Sequence, residues 1–104
     1  MSVTFYDPMN PLKYDEEFNI IGGGPEANFS NVNARLILKT MGIEDEVMCG
    51  AMPATDMLEV LDRAASGVAF FCTNEYSHYL QNALERIRNI AQVAAVKNGE
   101  VCWG

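Results

Sequence analysis

The stretch TNEYSHYLQNALERIRNIAQVAAVK, residues 73–97, shows the clearest periodicity in this chain. Its apolar residues recur at alternating steps of four and three, and on an α-helix such positions share one side. They are Tyr76, Leu80, Ala83, Ile87, Ile90 and Ala94. We therefore predict one amphipathic helix over residues 73–97, which would be roughly 37 Å long at about 1.5 Å per residue.

Both ends of this stretch carry the residues typical of helix ends. Thr73 offers a side-chain oxygen to the free amides of the first turn, and Glu75 places negative charge where the helix dipole favours it. Lys97 places positive charge at the other end, and Gly99 is a typical residue after a helix. We expect the remaining segments to pack around this helix.

The composition predicts a single globular domain over residues 1–104. The chain is 49% hydrophobic and 20% charged, which is ordinary for a folded domain. A chain of 11.5 kDa buries roughly two-thirds of its unfolded surface. We expect this core to form with no cofactor and no disulfide.

Two further helices and two strands complete an expected α+β fold. Ser30 and Gly42 indicate a helix over about 30–41, and Pro53 and Ser66-Gly67 indicate another over about 54–66. Alternating residues predict strands at 2–6 and 100–103, which we expect to pair antiparallel. We expect residues 9–28 to be mostly loop, with a short strand within 18–21, and residues 67–72 to be an extended connector.

The net charge of −7 is concentrated in the first part of the chain. Residues 1–62 contain eleven acidic and three basic residues, whereas residues 63–104 contain three acidic and four basic ones. Direct binding to nucleic acid needs clustered Lys and Arg, so we expect none. The asymmetry favours a basic protein as the partner.

Cysteine usage and hydropathy indicate a cytoplasmic protein. Cys49, Cys72 and Cys102 are odd in number and far apart, which favours reduced thiols. Residues 1–5 lack the basic and apolar segments of a signal peptide. The sequence also lacks the run of about 18 apolar residues that would indicate a membrane span, so we expect no membrane association.

Two acidic clusters and two methionines are the candidate partner-binding residues. If the clusters converge in space, they form a negative patch that attracts a basic partner. Methionine side chains adapt to binding surfaces, although a core role for these two is the simpler interpretation. The candidates are Asp15, Glu16, Glu17, Glu44, Asp45, Glu46, Met48 and Met52.

An alternative pocket is placed at the start of the long helix. Cys72, Glu75 and His78 are three residues apart and would line up with Tyr76 nearby, as a metal or nucleophile cluster would. The same polar positions are also the solvent-facing side that any amphipathic helix has. A nucleophile needs both a base and an orienting partner, so we predict no catalytic residue and no metal site.

Two segments resemble parts of short uncharacterised proteins of phages and bacteria. Ser30-Asn31-Val32-Asn33-Ala34 has the pattern N-x-N-A at a helix opening, and the final helix is followed by the strand pattern V-x-W-G at residues 101–104. The resemblance covers less than half of the chain and implies no activity, substrate or cofactor. Small acidic phage proteins are similar in size and charge to inhibitors of host defence such as anti-CRISPR proteins, which is an analogy of composition alone.

The sequence therefore favours a non-catalytic interaction module that binds a basic protein partner, with a homodimer as a further expectation. It would be a phage or prophage accessory protein or an inhibitor of a host protein. One alternative is a small-molecule binder or minor enzyme that uses the pocket near Tyr76, His78 and Cys72. Another is a phage structural or accessory subunit.

Overall fold

The structure of the protein is a computed structural model that describes residues 2–43, 48–71 and 75–104, with the backbone alone for residues 68–71 and 75–77. Three helices pack on a small antiparallel sheet, which confirms the predicted α+β class. The strands are β1 (Ser2–Tyr6), β2 (Lys13–Tyr14), β3 (Ile20–Gly22), β4 (Glu26–Ser30), β5 (Gly50–Pro53) and β6 (Glu100–Trp103). The helices are α1 (Asn31–Thr40), α2 (Ala54–Phe71) and α3 (Glu75–Val96).

The main sheet has the strand order β4-β1-β6-β5, and its neighbouring strands are antiparallel. Phe5 in β1 is opposite Trp103 in β6, which confirms the predicted pairing of these two strands. Phe5 is fully buried, and its ring centroid lies 5.9 Å from those of both Phe29 and Trp103. Three strands therefore contribute an aromatic ring to one continuous layer of the core.

The long helix α3 runs unbroken from Glu75 to Val96, as its periodicity predicts. The described side chains of the predicted stripe are buried, including Leu80, Ile87 and Ile90, whereas the side chain of Tyr76 lies outside the described residues. Beyond the helix, Gly99 N donates to Ala94 O at 2.9 Å, and Asn98 has a left-handed φ of 52°. Thr73, the expected N-cap, lies outside the described residues.

Helix α2 is longer than predicted. It begins at Ala54, directly after Pro53, but continues through Ser66-Gly67 to Phe71. The expected helix end at 66 and the extended connector from Val68 are therefore wrong. An interior Gly costs only about 1 kcal/mol relative to Ala, and α2 lies along α3 in the most extensive contact between any two elements, so tertiary packing overrides the local signal.

Strands β4 and β5 occupy segments for which the sequence predicts no strand. In β4, Ala27 and Phe29 are buried and Asn28 is exposed, which is the alternation of a half-buried strand. The strand leads directly into α1, whose N-cap Ser30 accepts a hydrogen bond from Asn33 N as predicted. Because strand and helix adjoin at Ser30, the helix start signal conceals the strand before it.

The register of β1 and β4 fixes the course of the chain between them. Tyr6 is the antiparallel partner of Glu26, so residues 7–25 leave the sheet and return to it at the same place. We call residues 7–25 the excursion. Most connections between elements have about 4–6 residues, and long loops in compact domains are usually functional.

We predict that Ile87→Ala lowers the free energy of unfolding by about 2–5 kcal/mol, because Ile87 is fully buried on α3 and its removal leaves a cavity. Val96→Ala on the same helix is the matched control, since Val96 is 84% exposed, and it should change stability by less than about 0.5 kcal/mol. Urea denaturation measures both. Equal effects would contradict the assignment of the buried side of α3.

Candidate functional site

The excursion begins with a tight turn and then closes on itself. Asp7 Oδ1 accepts a hydrogen bond from Met9 N at 2.9 Å, and Asn10 N donates to Asp7 O at 3.0 Å. Asn10 then contacts the other arm, with Gly24 N donating to Asn10 O at 2.8 Å and Asn10 Nδ2 donating to Gly24 O at 2.5 Å. These two hydrogen bonds define the base of the excursion.

Just beyond this base the two arms lie in direct backbone contact. Gly23 has a φ of 77°, and a Cβ atom at this position would lie 1.8 Å from the Pro11 carbonyl oxygen. Both the left-handed conformation and the close approach require glycine. The chain can therefore leave the base as two adjacent arms only because Gly23 has no side chain.

The outer part of the excursion is a two-stranded antiparallel ribbon, which we define as residues 13–22. Tyr14 in β2 is the partner of Ile20 in β3, and the register shifts between Lys13 and Tyr14. The expected short strand within residues 18–21 is present as β3, at Ile20–Gly22. An isolated two-stranded ribbon is marginally stable at best in water.

The turn of the ribbon is organised by Asp15. Its Oδ1 accepts hydrogen bonds from Glu17 N and Asn19 N, both at 2.9 Å. Its backbone also closes the turn, with Asp15 N donating to Asn19 O at 3.0 Å and Phe18 N donating to Asp15 O at 3.1 Å. The acidic residue Asp15 is thus the structural centre of the turn.

The same contacts stabilise the ionised form of this carboxyl group. The backbone N–H of Asn19 is the largest cause that holds the pKa of Asp15 below its usual value of 3.8, and the Glu17 N–H and the Asn19 side chain act in the same direction. Hydrogen bonds donated to a carboxylate favour its charged form. At neutral pH the turn therefore contains an ionised Asp15 as its acceptor.

The excursion adds no apolar side chain to the core. None of the hydrophobic residues within 8–25 belongs to the buried core cluster or packs against it. Of the seven large hydrophobic side chains exposed in the described part of the chain, five lie in the excursion. They are Met9 (69% exposed), Tyr14 (52%), Phe18 (85%), Ile20 (62%) and Ile21 (65%).

Exposed apolar side chains and acidic side chains are therefore combined on one small element. Glu16 and Glu17 are exposed in the turn that displays Phe18. Lys13 is the single base within residues 8–25. We define the ribbon surface as the half-buried Asp15 together with the exposed side chains of Tyr14, Glu16, Glu17, Phe18, Ile20 and Ile21.

Of the other predicted partner-binding residues, the two methionines are not brought to this surface. Met48 and Met52 are half-buried and pack against the core cluster. The second acidic cluster, Glu44, Asp45 and Glu46, lies outside the described residues. Its convergence with the first cluster stays a prediction.

The alternative pocket is only partly described. His78 is exposed on α3. Cys72 lies outside the described residues, as do the side chains of Glu75 and Tyr76. In the described ranges 2–43, 48–71 and 75–104, no group of three or more His, Cys, Asp or Glu side chains is placed to hold a metal ion.

A groove lies where the end of α1 meets β5 and α2, with a volume of about 560 Å³. Its lining is mainly apolar and includes Arg63 as a cation, and His78 is not part of it. Met52, predicted to bind a partner, contributes to this groove. The lining residues are Thr40, Met41, Gly42, Ile43, Met52, Val60, Arg63, Ala64 and Gly67.

The described cysteines are free thiols at one end of the main sheet. Cys49 is exposed, and Cys102 is half-buried in β6. Burial is the largest cause that raises the pKa of the Cys102 thiol above 9.0, and the negative charges of Glu100 and Asp7 add to it. The thiolate is the nucleophilic form, so Cys102 is poorly suited to covalent chemistry at neutral pH.

Comparison with protein-family models, with curated protein sequences and with solved structures finds no match for this chain. Each helix in the described residues falls short of the length or apolarity needed to cross a membrane. The candidate site is therefore defined by its own geometry and chemistry.

The sequence indicates the acidic half of the ribbon surface but not its apolar half. It predicts Asp15, Glu16 and Glu17 as partner-binding, whereas it assigns Phe18 and Ile20 to a short strand. A usable signal is present in the short run Lys13-Tyr14, the polar stretch 15–19 and the apolar pair Ile20-Ile21, which together are typical of a hairpin.

We predict that the order of the turn depends on the ionised Asp15. Because its folded-state pKa is lowered, the contribution of the carboxylate is complete above the usual value of 3.8 and is lost as the pH falls through the lowered value. Asp15→Ala should therefore accelerate hydrogen exchange at the amides of Glu17 and Asn19 at neutral pH. Nuclear magnetic resonance measures this exchange residue by residue.

Asp15→Asn is the matched variant, because it retains a neutral acceptor oxygen and removes the titrating group. Its turn should be weaker at neutral pH but should no longer weaken further as the pH falls through the lowered pKa of Asp15. The amide of Ile87 in α3 serves as the internal control. Unchanged exchange at Glu17 and Asn19 in Asp15→Ala would contradict the role assigned to this side chain.

Proposed function

We propose that this protein is a non-catalytic interaction module that docks on a basic protein through its ribbon surface. The observation that carries the proposal is the concentration of exposed apolar side chains on an acidic ribbon that adds nothing to the core. Contiguous apolar surface rimmed by polar residues is typical of protein contact sites.

The energetics of the ribbon support a partner that covers it. Fully burying a large apolar side chain contributes about 1.5–3 kcal/mol, and Phe18, Ile20 and Ile21 are all more than half exposed. A ribbon of two short strands gains little from its own pairing. A partner that buries these three side chains would stabilise both the ribbon and the complex.

The charge of the ribbon surface favours a partner rich in Lys and Arg. Three acidic residues against one basic residue create a negative potential that accelerates association with a positive surface. The same charges disfavour nucleic acid, and they disfavour the anionic lipids of a cytoplasmic membrane surface. They also disfavour a homodimer in which two ribbons meet, because like charges would be brought together.

The biological setting belongs to the proposal as well. A phage or prophage accessory protein, or an inhibitor of a host protein, would act in the cytoplasm by such docking. A phage structural subunit would instead self-assemble at working concentration, which sedimentation measures. The small-molecule alternative gains one observation, the apolar groove containing Arg63, and would be supported by a ligand-induced rise in melting temperature.

We predict that Glu16→Gln/Glu17→Gln slows association with the basic partner by several-fold or more at low salt, because long-range attraction sets this rate. The partner is first recovered from cell lysate at low salt with the immobilised protein. Surface plasmon resonance on the purified pair then measures the association rate. The difference between the variant and the natural sequence should shrink at high salt, where charges are screened.

Asp56→Asn/Glu59→Gln is the matched control. Both residues are exposed on α2, and the double change alters the net charge by the same amount. If the α2 variant slows association as much as the ribbon variant, the contact is not at the ribbon surface. Recovery of only acidic proteins, or binding that is independent of salt, would also contradict the proposal.

A further inference from the structure

We propose that Phe18 is the anchor of this contact, a side chain that inserts into an apolar pocket ringed by Lys or Arg on the partner. This inference rests on the proposed function and specifies which residue and which partner chemistry account for the affinity. Binding energy at protein interfaces is concentrated in a few residues that fill desolvated pockets. Phe18 suits such a role because its side chain is exposed, it lies in the turn of the ribbon, and hydrogen bonds organise the backbone around it.

Phe18 is the most exposed of the large hydrophobic side chains in the described residues, at 85%. It lies in the turn of the ribbon, away from the base at Asn10 and Gly24. Ile20 and Ile21 follow directly and are 62% and 65% exposed. Because successive strand residues point to opposite faces, one of these two side chains can lie beside the ring on the side that meets the partner.

The backbone of Phe18 shows that the fold alone would favour a different residue. Its φ is 64°, in the left-handed region, and hairpins of this kind usually have Gly or Asn at the position after the turn. A bulky side chain in this conformation is strained. Phe18 is therefore unfavourable for the conformation of the turn, but its exposed ring is well suited to contact with a partner protein.

The ring is also presented from a turn that local hydrogen bonds organise. Phe18 N donates to Asp15 O, and the flanking amides of Glu17 and Asn19 both donate to Asp15 Oδ1. A turn that is ordered before binding loses less conformational freedom when the complex forms. The entropy lost when the ribbon binds a partner is therefore smaller.

The chemistry of the occupant follows from the residues around the ring. Asp15, Glu16 and Glu17 precede Phe18, so cations at the rim of the receiving pocket would meet carboxylates as the ring enters. A second copy of this chain would bring the same carboxylates together. A lipid surface would accept the ring but would find no favourable charge in the turn.

A library of random short peptides displayed on phage tests the anchor even before the natural partner is isolated. The library is selected on the immobilised natural protein, and the enriched peptides are synthesised for affinity measurement. We expect them to combine aliphatic or aromatic residues with Lys or Arg. Phe18→Asn should weaken their binding more than tenfold while leaving the melting temperature equal or higher, because Asn suits the left-handed position.

Val96→Asn is the matched control, since Val96 is 84% exposed on α3 and far along the chain from the ribbon. It should leave peptide affinity unchanged. A melting temperature that falls in Phe18→Asn would overturn the claim that the ring is unfavourable for the fold. Phe18→Gly provides a second variant for the same comparison.

The outcomes separate the anchor from the proposed function. If the peptides are basic and are weakened by Glu16→Gln/Glu17→Gln but not by Phe18→Asn, the docking surface stands and the anchor is wrong. If no peptide is enriched, or the enriched peptides are acidic, both are wrong. Binding of the natural protein to neutral phosphatidylcholine vesicles that is lost in Phe18→Asn would assign the ring to a membrane and overturn the anchor.

Discussion

The burial of Phe5 is the constraint on which the rest of the structure depends. Its ring lies between Phe29 of β4 and Trp103 of β6, and thereby joins three strands of the main sheet. This packing fixes the register in which Tyr6 meets Glu26. Once that register is set, residues 7–25 lie outside the main sheet.

The molecule therefore divides into a packed body and a ribbon that forms a separate small sheet. The body contains the aromatic layer, the buried stripe of α3 and the long contact between α2 and α3. An ion pair between Arg88 of α3 and Asp62 of α2 also links these two helices. Arg86 lies over the ring of Phe29, 5.0 Å from its centroid, and ties α3 to β4. The ribbon takes no part in these contacts and exposes its apolar side chains instead.

The elements with strong periodicity could be predicted from the sequence. The stripe from Leu80 to Ala94, the cap at Ser30 and the pairing of the strands that contain Phe5 and Trp103 each follow from local pattern. Gly67 is different, because its turn-like signal is overridden by packing between α2 and α3. A single sequence does not contain that tertiary information.

The acidic residues of the candidate site could be predicted from the sequence, but the exposure of its apolar residues could not. A cluster such as Asp15 to Glu17 is visible in any sequence, whereas exposure is a property of the fold. Phe18 and Ile20 belong to a chain that is 49% hydrophobic, and only the β1–β4 register reveals that they are excluded from the core. Because these apolar side chains are excluded from the core, they lie exposed on the same ribbon as the acidic cluster.

Removing the outer excursion tests this division most directly. Replacing residues 11–23 by Asn-Gly would connect Asn10 to Gly24, which are already hydrogen-bonded, through a two-residue turn suited to a hairpin. Urea denaturation followed by the fluorescence of Trp103, the single tryptophan, reports on the body. We predict a cooperative transition with a free energy of unfolding within about 1 kcal/mol of that of the full chain. A loss of several kcal/mol would show that the excursion is part of the body.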